Sequence, residues 1–171
     1  MHDPTTINWD EGGQVGVLTF DLDGEVFAVE AISVREILDI IPQTAVPGAS
    51  ALVGSVVNFR GRVIPLADLR VAFGMGPAPV TGDSRIVVIE IDLDDQPTLL
   101  GLRADKVHEV TALAKCDSEE PPTVGMRWRR DHVRSLVRRD QGLIVVPDLQ
   151  AIFASATAEP QPATASIHSI H

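Results

Sequence analysis

Turn signals recur at hairpin spacing along this chain, and no helix-length apolar pattern stands between them, which restricts the fold to short strands. Leu18, Phe20 and Leu22 alternate against Val17, Thr19 and Asp21 until Asp23-Gly24 interrupts, and Val26, Phe27 and Val29 supply a return strand. Both central residues of such a turn need positive φ, which Gly adopts freely and Asp tolerates. Arg60-Gly61 separates Val56, Val57 and Phe59 from Val63, Ile64 and Leu66 in the same way. Pro65 cannot donate a ladder hydrogen bond, so that second arm is expected at a sheet edge or at a strand end. Arg85 to Leu93 is rich in β-branched residues, and Asp94-Asp95-Gln96-Pro97 turns it back into Thr98 to Leu102. Val107 to Leu113 continues as strand, and Val133 to Val137 and Leu143 to Val146 flank a turn over Arg138 to Gly142. A parallel α/β fold needs crossover helices of about 10 to 15 residues, and none is present. Two small β-barrels follow, with a single sandwich as the alternative.

The remaining segments read as short helices, connections and tails. Ala31 to Leu38 has helical spacing over one or two turns, and Ala67 to Phe73 and Pro147 through Phe153 also read as short helices. Gly74 to Gly82 is a surface connection, which divides the chain into a first unit at residues 15–81 and a second at 82–153. Residues 1–14 read as a flexible terminus, Lys115 to Arg130 as a long loop, and residues 154–171 as a disordered tail. With 171 residues and 44% hydrophobic content, the chain buries enough surface to fold without staples. One cysteine, Cys116, excludes an internal disulfide and a cysteine-based zinc site, and a reducing cytoplasm fits. The net charge of −10 opposes nonspecific binding to phosphate backbones or anionic lipid.

Catalytic constellations are missing in this reading. No HExxH helix occurs, and Gly74-Met75-Gly76 lacks the third glycine and the helix of a dinucleotide site. His108 beside Glu109 could be an acid-base pair, but neighbours on a strand face opposite sides, which favours a surface or groove reading. Asp92, Asp94 and Asp95 lack the glycine and the closing glutamate of a calcium loop and read as a solvated turn. Cys116 has no local activating pattern. No catalytic residue, metal ligand or cofactor is assigned.

The segment Gly54-Ser-Val-Val-Asn-Phe-Arg-Gly-Arg-Val-Ile-Pro-Leu-Ala-Asp-Leu-Arg70 resembles the signature of the CheW-like family of chemotaxis coupling proteins. Gly54, Asn58, Arg60, Gly61, Pro65 and Asp68 carry the likeness, and Phe59 stands where the family usually has Leu. Val17 to Glu36 is similar to the family's opening hairpin, and Arg85 to Ile91, Gly101-Leu102 and Asp105 through Val110 to its later strands, so the likeness spans roughly residues 15 to 153. The resemblance implies a mainly β fold of two five-stranded, SH3-like barrels packed together with short helices. It also implies a non-catalytic cytoplasmic adaptor without cofactors, recruited to membrane-associated receptor arrays without inserting in the membrane. Its implied partners are the regulatory domain of the histidine kinase CheA, the cytoplasmic tip of chemoreceptors and other CheW-like domains in rings.

By position in the family pattern, Val34 and Glu36 would lie at a partner surface, with Ile86, Gly101, Val107 and Val110 around a receptor groove. The apolar members are as well explained as core, and Glu36 as a solvated charge. Asn58, Arg60 and Gly61 read as organisers of their hairpin, with direct receptor contact by Arg60 as the alternative. The run from Arg127 to Arg139 is one basic island and departs from typical members. Arg127, Trp128 and Arg130 there could dock an acidic partner. A small-barrel nucleic-acid binder using this island is the rival function, against which stands a solvated rim that balances an acidic chain.

Overall fold

The structure, a computed structural model, describes residues 7–122, 125, 128–140 and 142–158, with side chains through residue 154. The first hairpin joins β1 (Gln14–Leu22) to β2 (Glu25–Glu30). Its turn residues Asp23 and Gly24 have φ of 53° and 80°, the left-handed backbone that their sequence selects. The helix expected over Ala31 to Leu38 is replaced by one 3-10 turn, Ala31–Ser33, and an edge strand, β3 (Val34–Asp39). Val34 and Ile37 favour strand, and the segment pairs with β7 instead of closing helical bonds on itself.

Four further elements complete the first half: β4 (Gln43–Ala45), β5 (Ser55–Phe59), β6 (Arg62–Ala67) and the short α1 (Leu69–Ala72). The second half runs β7 (Arg85–Leu93), β8 (Gln96–Ala104), β9 (Lys106–Ala114), β10 (Ser118–Glu119), β11 (Val133–Arg139), β12 (Gly142–Pro147) and α2 (Leu149–Ala158).

The strands form two sheets, β10-β11-β12-β2-β1-β9 and β3-β7-β8-β6-β5-β4. Each contains five longer strands and one of two or three residues, as expected of two curled SH3-like sheets. The connection at residues 74–82 does not separate them, because each sheet takes strands from both sides of it. Among the described residues, four pairings do the interleaving: two are parallel, with Ile144 opposite Val26 and Leu66 opposite Gly101, and two are antiparallel, β1 with β9 and β3 with β7. Such long-range pairs leave no local pattern to read. For the same reason β6 is an interior strand, not an edge. Its ladder with β8 begins at Leu66, just beyond Pro65, so proline stands where pairing changes.

Among the described residues, three apolar clusters hold the sheets. The central one joins Leu18, Phe20 and Phe27 of the first sheet to Val87, Ile89, Leu100 and Leu102 of the second, and Leu149, Ile152 and Phe153 of α2 pack against it. The others fill the curl of each sheet. Residues 7–14, expected to be flexible, are partly packed. Ile7 is buried with Val15 and Leu113, Trp9 leans on the same cluster, and the Asp10 carboxylate accepts from the Gln14 amide. Two apolar side chains in a polar stretch suffice to bind it down. Helix α2 also runs through Ala158, into the stretch expected to be disordered, because Ile152 and Phe153 anchor it and the alanines that follow favour helix. The rest of that tail lies outside the described residues.

Candidate docking surface

Two sheet edges extend the central core into solvent. On β9, Val107 stands opposite Phe20 and Val110 opposite Leu18, and opposed residues of antiparallel strands share a face. Phe20 and Leu18 belong to the central cluster, so both valines prolong that core beyond the last strand. Residues three apart on a regular strand face opposite ways, and a bulge between Leu18 and Phe20 in the register brings these two to one side. The second sheet repeats the device. Val34 and Ile37 of β3 stand opposite Ile89 and Val87, again core residues and again across a register shift. Val34 and Val107 pack half-buried against the cluster, whereas Ile37 is 42% exposed and Val110 67%. Ile32, in the 3-10 turn that leads into β3, is 77% exposed. Exposed apolar side chains that continue a core are the marks of a surface meant to be covered.

For Ile86 and Gly101 the structure favours the core alternative, since neither presents surface. Ile86 is fully buried inside the second sheet's curl. A Cβ on Gly101 would lie 2.8 Å from Ile86 Cγ2 and 3.3 Å from Leu66 Cδ1, so glycine is required for close approach.

The basic island is largely engaged internally. Arg134 is buried among Glu30, Asp148 and Gln150, with Nη2 donating to Gln150 Oε1 at 2.7 Å. Arg138 pairs with Glu119 at 3.1 Å, and Arg130 Nε donates to the Pro121 carbonyl. Trp128 is no free stacking platform, since its ring lies 5.5 Å from Phe73 and 6.0 Å from Phe27. Arg127 lies outside the described residues. Arg129 donates twice to Asp131, and these bonds hold its carboxyl below the usual carboxylate range, helped by the positive charges of Arg129 and His132 and opposed by partial burial. A depressed carboxylate contributes its pairing above the unfolded pKa and loses it as pH falls through the folded one. An NMR titration should find Asp131 protonating at lower pH than ordinary carboxylates, and Arg129→Gln should return it toward the ordinary value.

Among the described residues, no group of three or more His, Cys, Asp and Glu side chains could hold a metal, and no helix is long and apolar enough to cross a membrane. His108 Nε2 lies 2.8 Å from Asp21 Oδ1 at the surface, and Cys116 is exposed.

The model of the CheW-like domain matches residues 16–157 of this chain. The chain belongs to the CheW-like family. A probable chemotaxis protein CheW of Rhizobium etli is 29% identical over 147 residues, covering 86% of this chain and 92% of that protein. The chemotaxis protein CheW of Rhizobium meliloti is 27% identical over 143 residues, covering 84% and 90%. The crystal structure of the scaffolding protein TtCheW from Thermoanaerobacter tengcongensis superposes with a TM-score of 0.71 at 28% identity, over 81% of this chain and 92% of that one.

The family signature builds a hairpin and a clamp. Asn58 Oδ1 accepts from the Gly61 amide at 3.0 Å, and Arg60 and Gly61 take φ of 50° and 79°. The Arg60 guanidinium lies 5.2 Å from the Phe59 ring centroid and pairs with Glu36, which stands on β3 rather than on a helix. Arg60 is 72% exposed along its side chain, so the pair adds at most about 1 kcal/mol. Gly54 accepts from the Val46 amide at the foot of β5, and the Asp68 carboxylate caps α1 by accepting from the Arg70 amide at 3.1 Å. Arg70 closes the signature. Its buried guanidinium pairs with Asp105, lies 3.6 Å from Asp23 and donates to the Gly76 carbonyl at 2.9 Å. Because Asp105 also accepts from the Asp23 amide, this clamp ties the first sheet's hairpin turn to the β8–β9 crossover and α1. Arg70 ends the sequence signature, and nothing local to it announces this clamp, whose partners Asp23, Gly76 and Asp105 are brought together only by the fold.

Proposed function

We propose that this chain is a non-catalytic cytoplasmic adaptor that couples the cytoplasmic tips of chemoreceptors to the regulatory domain of the histidine kinase CheA, at membrane-associated receptor arrays. The observation that carries the reading is the apolar margin of Val34, Ile37, Val107 and Val110, which two bulged edges hold open beside the central core. Chemotaxis relatives named CheW and a scaffolding protein of the same fold support it. Such a margin suits a partner's apolar helical face and asks for complementarity rather than reactive groups. The nucleic-acid alternative gains no comparable support, since Arg134, Arg138 and Arg130 are held by local acceptors.

Co-sedimentation with receptor-containing membranes and CheA tests the proposal. The wild-type chain pellets with both, and Val110→Asp weakens this at least tenfold, about 1.4 kcal/mol. Because Val110 is largely exposed, its variant melts within about 2 °C of wild type by circular dichroism. A wild-type chain that binds neither partner would sink the proposal.

A further inference from the structure

A cavity of about 420 Å³ opens where the first sheet curls toward itself. It is lined by the consecutive residues Ala112 to Ala114 of β9, by Val137 to Arg139 of β11 with Asp140 in the turn beyond, and by Asp117 of the 3-10 turn Lys115–Asp117. Consecutive strand residues alternate faces, so a cavity touching all of them borders the backbone edges. Both edges lack a partner there among the described residues, since β9 is paired only with β1, and β10 covers β11 only at Leu136 and Val137. Leu113 and Val137 join the apolar cluster inside the curl, and the Thr111 to Ala114 edge carries neither lysine nor proline to deter pairing.

Arg139 marks what would fill the cavity. It stands two residues from Val137, hence on the same inward side of β11, and it also borders a second cavity of about 360 Å³ with Val26, Leu143 and Ile144. Its Nη1 is shut from solvent with no acceptor in reach. The other charges along the two cavities are Asp117, Asp140, Glu109, His108 and Arg138, of which His108 is paired with Asp21 and Arg138 with Glu119.

We propose that this cavity binds one extended segment of a protein partner as an added strand between β9 and β11, with an inward carboxylate on Arg139 flanked by apolar inward side chains. The acidic rim of Asp117, Asp140 and Glu109 restricts the segment to that single acidic residue. Main-chain bonds to the two edges supply affinity, and Arg139 supplies selectivity.

The test uses the full chain and a fluorescent peptide, Thr-Val-Thr-Glu-Thr-Val-Thr, followed by anisotropy. The peptide binds, its Gln counterpart binds at least tenfold more weakly, Arg139→Gln removes that difference, and Arg139→Lys keeps part of it. Hydrogen exchange slows at the amides of Ala112, Ala114 and Arg138. Equal binding of the two peptides to wild type, no binding, or protection confined to β3 overturns the proposal, and the peptide comparison decides even if an Arg139 variant misfolds. Val110→Asp leaves peptide binding intact, so failure here is distinct from failure of the adaptor reading.

Discussion

Arg70→Met destabilises the fold by about 3 kcal/mol and lowers the melting temperature by roughly 6 to 12 °C. The Arg70 side chain is only 7% exposed and answers two carboxylates and a carbonyl, so removing it strands Asp105 without its cation. Breaking a buried pair costs about 3 to 5 kcal/mol, and the lower end applies because Asp105 keeps 31% of its side chain in water. Adding Asp105→Asn to Arg70→Met should recover part of the loss, since the neutral amide still accepts from the Asp23 amide and leaves no bare charge. Chemical denaturation of the four-member cycle measures this coupling. Additive losses would show that Arg70 acts by packing alone.

Gly101→Ala should cost about 1 to 3 kcal/mol, and Gly101→Val more, although neither places a charge or a cavity in the core. The new Cβ meets Ile86 Cγ2 at 2.8 Å, a methyl fixed to a stiff β-branched stem. The backbone cannot retreat, because Gly101 is paired on one side with Val88 and on the other with Leu66. Ile86→Ala removes the opposing methyl, so the double variant should lose less than the sum of the two single changes in thermal unfolding. Loss of partner binding in a Gly101 variant would then arise through the sheet and not through a missing contact. Strict additivity would place the cause elsewhere.

The candidate surface was legible in part. Val34, Val107 and Val110 were named from position in a family pattern, while their residue types alone suited core and surface equally. Register decided between these: opposite Phe20, Leu18 and Ile89 they lie on the core's own face, at its rim. Ile37 and Ile32 carry no surface assignment in sequence because the stretch around them has helical spacing, where their positions carry a different meaning. Arg127 to Arg139 looked like a docking island in one dimension. In three, Glu30, Glu119 and Asp148, distant in sequence, are folded against its arginines.

The sequence by itself determined the turns at Asp23-Gly24 and Arg60-Gly61 and the presence of one after Leu93, since left-handed backbone is a local demand that few residues meet. The last of these, expected over Asp94 to Pro97, is shorter in the structure because Gln96 and Pro97 already belong to β8. The sequence also determined the strand-rich class and, through the Gly54 to Arg70 signature, the family. Only the tertiary structure decided which strands share a sheet, which side of an edge Val110 and Ile37 face, and that Gly101 is a point of close approach. Those outcomes rest on bulges and on pairings between segments far apart in the chain, where one residue of register moves a side chain from core to solvent and no local period records the choice.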